Sequence, residues 1–212
     1  MRLKRLTAVL AVVALVLGAM ASPASAHDVD RERLEWFGPP MTVETGEVHN
    51  KAQSRLARHE HKVKAKVKTR ELSPGNAYTV WLVIFNTPEG CQTSPCGEAD
   101  IGYGPATSSV IWSGASGVAR PNGKLKTKGV LRVGNPAGYQ QLLADLGAPD
   151  PGFLDADDAE IHFVIRDHGP VTGNPDQLTT FEGDCTAASS FGLGAGTYEC
   201  VDVQFSIHEA DD

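Results

Sequence analysis

The nine residues His61-Lys62-Val63-Lys64-Ala65-Lys66-Val67-Lys68-Thr69 alternate without a break. On an extended chain, side chains two apart share a face. Val63, Ala65, Val67 and Thr69 therefore face one way and Lys62, Lys64, Lys66 and Lys68 the other, which predicts a strand with one dry side and one wet side. Ser73-Pro74-Gly75-Asn76 then supplies turn chemistry. Ala77 to Phe85 follows, apolar or aromatic on both parities apart from Thr79 and the tip of Tyr78, the pattern of a central strand covered on both sides. The two segments predict an antiparallel hairpin.

Further strands are legible downstream. Ser109 to Trp112 is short and apolar. Lys124 to Val133 alternates again, with Leu125, Thr127, Leu131 and Val133 opposite Lys124, Lys126, Lys128 and Arg132. In Glu160 to His168, Ile161, Phe163 and Ile165 oppose His162, Val164, Arg166 and His168. Val201 to His208 reads with Val201, Val203, Phe205 and Ile207 inward and Asp202, Gln204, Ser206 and His208 outward. One short helix is predicted over Tyr139 to Leu146, between Asn135-Pro136 and Gly147. Short strands separated by turn residues, with a single helix, predict an all-β antiparallel sandwich with Greek-key connections in one domain, residues 27–212.

Residues 1–26 stand apart. Arg2, Lys4 and Arg5 precede an uncharged run from Leu6 to about Ala21 and then Ala24-Ser25-Ala26, the basic, apolar, small-x-small order of a cleaved secretory signal. The apolar part would span ~24 Å as a helix against a hydrocarbon core of ~30 Å. The expectation is a secreted chain, extracellular or periplasmic, with no transmembrane segment after cleavage. Four cysteines agree with an oxidising compartment. Three pairings are open; the local one, Cys91 with Cys96 and Cys185 with Cys200, staples two loops and is favoured over a four-thiolate zinc site because neither pair has the short C-x2-C spacing.

Charge is distributed unevenly. Residues 27–140 carry 15 basic and 11 acidic groups, whereas residues 141–212 carry one basic group, Arg166, and 15 acidic ones. An acidic half of that size argues against nucleic acid as a partner. The lysines of the two alternating strands, Lys62, Lys64, Lys66 and Lys68 with Lys124, Lys126 and Lys128, define a basic sheet face. Such a face suits an anionic glycan or the cell envelope, and it also keeps a sheet soluble and its edges unpaired.

Several stretches resemble one another's counterparts in a single family. Leu72 to Asn86, the Cys91/Cys96 loop, Ala159 to Pro170 and Cys200 to His208 together resemble a family of exported microbial β-sandwich proteins of uncharacterised function. That resemblance implies secretion and a shared compact fold, and it transfers no site residue. The Leu72-x-Pro74-Gly75-x-x-Tyr78-Thr79 strand and the Ile161-His162 strand are also similar to chordin-type and copper/zinc superoxide-dismutase-like sandwiches. The histidine-rich metal pattern of those dismutases is absent here, so their activity does not follow.

Histidine supplies the candidate ligands. His59 and His61 are two apart at the entrance of a strand, so they share a face with Cα atoms ~6.6 Å apart, which is half a metal site. His162 and His168 share a face too far apart for one ion, and His208 neighbours one of them if the last two strands pair. Cleavage after Ala26 would make His27 the N-terminus, with an α-amino nitrogen and Nδ1 suited to copper, an arrangement that resembles the histidine brace of copper-dependent oxygenases. The acidic run Asp155 to Glu160 lacks the spacing of a calcium loop, Ser113 to Gly117 is not a nucleophile elbow, and Gly192 to Gly196 precedes no helix. Carboxylates are plentiful, but no spacing singles out a glycosidase pair. With no complete catalytic set, the leading expectation is a non-catalytic binding module for an extracellular or envelope ligand without a cofactor. The alternative is a copper- or zinc-binding protein using His27 or His59/His61.

Overall fold

The computed structural model describes residues 29–36, 48–101, 106–135, 151–180, 183–186 and 196–210, the backbone alone at 36 and 48–50. The signal-like segment, His27 and the predicted helix at 139–146 lie outside these residues. The strands are β1 (Val29–Trp36), β2 (Val48–His59), β3 (Lys62–Thr69), β4 (Asn76–Phe85), β5 (Ser109–Val118), β6 (Leu125–Arg132), β7 (Glu160–Pro170) and β8 (Val201–His208). They form one antiparallel sheet in the order β5-β4-β7-β8-β1-β2-β3-β6.

The sheet curls on itself. Its two end strands, β5 and β6, are joined by a turn with Arg120 N–H donating to Lys124 O and Gly123 N–H to Arg120 O, and they lie against each other. The approach is so close that a Cβ on Gly129 would sit 1.9 Å from the carbonyl oxygen of Gly114. Glycine at 129 lets the sheet close. The architecture is thus barrel-like, where the sequence predicted a two-layer sandwich. Around the closed order, the β3 to β4 and β6 to β7 connections each pass over two strands, as in a Greek key.

Alternation identified β3 and β6 correctly: Val63, Ala65, Val67, Leu125 and Leu131 are buried in the interior with Tyr78, Val80, Leu82 and Ile84 of β4. β4 is buried along its whole length, as expected of a doubly covered strand. Its outer face, Trp81, Val83 and Phe85, packs with Ile111, Val164 and the Cys91/Cys96 loop. Glu160 clamps that loop, accepting from the backbone N–H of Cys96 at 2.7 Å. Both disulfides join the expected partners, with Cα separations of 5.3 Å each.

Three expectations are corrected. β3 and β4 are not a hairpin. The Ser73–Asn76 turn forms, with Asn76 N–H donating to Ser73 O, but β3 pairs with β2 and β6 while β4 pairs with β5 and β7. The outer face of β4 must be covered and that of β3 is lysine in water, so the turn carries the chain across the end of the barrel. β1 and β2 were not foreseen, because β1 is mostly charged and the inward row of β2, Ala52, Ser54, Leu56 and Arg58, is half polar.

The third correction concerns β8, whose faces are reversed. Gln204, Ser206 and His208 are buried inside, opposite the inward residues Ile165, Phe163 and Ile161 of β7, whereas Val201 is exposed. Phe205 lies beside Val164 on the outer face and is also buried. With both faces covered, hydrophobic alternation no longer distinguishes in from out. Several of the polar atoms find partners inside: Thr69 Oγ1 donates to Gln204 Oε1 at 2.5 Å and the Ser54 and Ser206 hydroxyls lie 2.7 Å apart, whereas Gln204 Nε2 has no partner among the described residues.

Candidate functional site

The basic face is built by register. Arg31 pairs with Arg55, Arg55 with Lys66 and Lys66 with Lys128, so four cations stand in one row across β1, β2, β3 and β6. The next row runs Arg33, Gln53, Lys68, Lys126, and Lys62 stands opposite Arg132. Strand spacing sets these side chains ~4.8 Å apart across the sheet and ~6.7 Å apart along it. Lys64 lies on the same surface opposite Val130, and Lys124 is exposed just before β6. No residue of β2, β3 or β6 is a carboxylate. Like charges directly opposite destabilise a sheet, so this array costs the fold stability. Its field is visible at Lys66, whose ammonium is held below its ordinary range chiefly by Lys68, then by Lys126, with Arg55 and Lys128 also contributing.

The predicted metal ligands are placed differently from the expectation. His59 ends β2 and His61 sits with Glu60 in the turn to β3, so the shared strand face assumed for them does not exist. His61 is exposed, its Nε2 3.3 Å from the Glu60 carboxylate. His162 lies on the outer face against the Phe85 ring, its Nε2 2.5 Å from Glu160 Oε1.

His168 lies among sulfur atoms, with Nδ1 3.5 Å from Cys185 Sγ and 3.6 Å from Cys200 Sγ. His/Cys/Cys is a metal-ligand set by type. Here, however, both sulfurs are bonded to each other, and Nδ1–H donates to Gly183 O at 2.9 Å. Nε2 accepts from the Thr79 hydroxyl at 2.7 Å, whose oxygen in turn accepts from Trp81 Nε1–H at 2.6 Å. His168 is a satisfied core histidine that anchors the second cystine loop. Burial pushes its pKa down.

The barrel interior holds a second polar chain. His208, fully buried, has Nδ1 2.5 Å from Asp30 Oδ2 and Nε2 2.8 Å from Ser54 Oγ. Burial is the largest influence on its pKa and lowers it; the bond to Asp30 acts the other way. Asp30, partly exposed, is held below the usual carboxylate range by the same bond. Arg58, also fully buried, donates from Nη1 to Ala156 O at 2.6 Å and Ala159 O at 2.9 Å, and from Nη2 to Glu209 O at 2.6 Å, tying the 156–159 loop and the chain after β8 to β2.

Beside this chain β1 and β8 part. Their ladder consists of two residue pairs, Glu35–Phe205 and Trp36–Gln204, and the strands diverge toward Asp30 and His208. The cleft between them holds about 740 Å³ and is lined by Asp30, Glu32, Arg33, Ser206 and Glu209, among others. Sequence reading missed Ser54, Asp30 and His208 as a group because they lie on three strands, Ser54 and His208 being 154 residues apart. Their inward phase on β2 and β8 was the one signal, and on β8 it was masked by the apolar outer row. No family model, curated protein or solved structure matches the chain.

Proposed function

We propose that this protein is an exported, disulfide-stapled β-barrel module that binds an anionic extracellular or cell-envelope glycan through the outer face of β1, β2, β3 and β6. The row Arg31–Arg55–Lys66–Lys128 carries the reading. Cations in direct register weaken the apo fold, and a polyanion lying along them would relieve that repulsion. The signal-like residues 1–26 and the two disulfides support export. A glycan is favoured over nucleic acid because β2, β3 and β6 carry no Phe, Tyr or Trp on which a base could stack, and residues 141–212 are strongly acidic.

The test is salt-dependent binding of the full processed chain to a sulfated polysaccharide, a neutral dextran and double-stranded DNA. The expected result is binding to the sulfated polymer that weakens with salt, no retention on dextran, and weaker binding to DNA. A K66E/K128E double variant should lower the affinity at least tenfold while keeping the fold. Equal binding by that variant, or preference for DNA, would overturn the reading.

A further inference from the structure

The geometry points to a second activity in the barrel: Ser54, His208 and Asp30 form a hydroxyl–imidazole–carboxylate relay in which Ser54 is the nucleophile toward small acyl esters. The Nδ1 that faces Asp30 must carry the proton, because a carboxylate only accepts. Nε2 therefore presents its lone pair to Ser54 Oγ at 2.8 Å, and the hydroxyl donates to it rather than to the more distant Glu32 O at 3.4 Å. A base oriented by an acid and bonded to a hydroxyl is the arrangement that activates serine, and it is recognised by geometry rather than by fold or chain order.

Access is through the cleft between β1 and β8. Asp30, itself a member of the relay, lines it, as does Ser206, whose hydroxyl lies 2.7 Å from that of Ser54. Ser54 and His208 are themselves fully enclosed. Acylation therefore requires the Ser206 side chain to move off Ser54 Oγ at the cleft wall while Asp30 stays on His208, a bond that also ties β1 to β8 at this end. Asp30, Glu32 and Glu209 against Arg33 make the cleft wall net acidic, which selects uncharged or cationic esters over anionic ones.

In the reaction, Ser54 Oγ bonds to the carbonyl carbon and the ester C–O bond breaks. The serine proton passes to His208 Nε2 and from there to the departing alkoxide, releasing an alcohol. Water then attacks acyl-Ser54, its proton returning through the same nitrogen to Ser54, and the carboxylic acid is released. Ser54, His208 and Asp30 are not among the cations of the outer face, so this proposal and glycan binding are tested separately.

The test is labelling of the full chain by an uncharged fluorophosphonate, with the adduct located by peptide mass mapping. The phosphonyl group should appear on Ser54, be absent in Ser54→Ala and persist on Ser54 in Ser206→Ala. His208→Gln should slow labelling by about 100-fold or more. Should that variant fail to fold, Asp30→Asn at the cleft wall serves instead, slowing labelling in protein that still shows a cooperative unfolding transition and reducing the dependence of rate on pH near neutrality. No adduct on folded protein, an adduct on another residue, or a labelling rate unchanged by Asp30→Asn overturns the proposal.

Discussion

Lowering the pH from 7 to 5 should destabilise this barrel through two histidines in particular. His168 and His208 are both fully buried, and burial holds each pKa below its ordinary value of 6.5. In the unfolded chain both regain that ordinary value. Below it, unfolding therefore takes up protons that the folded state refuses, so stability is complete above pH 6.5 and is lost as pH falls toward the folded values. Each proton contributes a limiting slope of about 1.4 kcal/mol per pH unit. Two histidines together therefore set an upper bound of about 2.7 kcal/mol per pH unit, and the loss ends once pH falls below the folded values. Asp30 adds a further loss only below its ordinary 3.8, since its shift is downward. The assay is denaturant unfolding with disulfides intact at half-unit pH steps from 7.5 to 5. His168→Gln and His208→Gln should each lower the starting stability and make the pH dependence shallower. Stability that is flat over this range, or a slope untouched by either variant, would refute the reasoning.

Two further predictions concern the closure of the fold. Gly129→Ala forces a Cβ into the carbonyl of Gly114; it should cost about 1–3 kcal/mol and increase dye binding to exposed apolar surface, whereas wild-type stability in that variant would refute closure by β5 and β6. Arg58→Met leaves the carbonyls of Ala156, Ala159 and Glu209 without their buried donor. It should cost about 3–5 kcal/mol in denaturant unfolding and accelerate amide exchange in residues 156–159 and 208–210, and a variant within 1 kcal/mol of wild type would show that Arg58 does not pin the barrel end.

The strand character of β3, β6 and β7 and the double burial of β4 were written in the sequence, because a period of two leaves one solution whenever one face is wet and the other dry. Local disulfide pairing was legible for a related reason: separations of 5 and 15 residues let each bridge close its own loop. The basic face was visible as lysine alternation, but its extent was not. Arg31 and Arg55 joined it only when β1 and β2 took their places beside β3.

Residue type and periodicity thus determined that the chain forms antiparallel strands and that β3 and β6 carry lysine outward, and they favoured the local cysteine pairs. Tertiary structure alone decided that one sheet closes on itself, that the polar row of β8 turns inward, and that Asp30, Ser54 and His208 converge. Alternation sorts side chains into two sets without naming the side that is dry. That choice belongs to the neighbouring strands, whose inward residues either provide partners for buried polar groups or leave them unpaired.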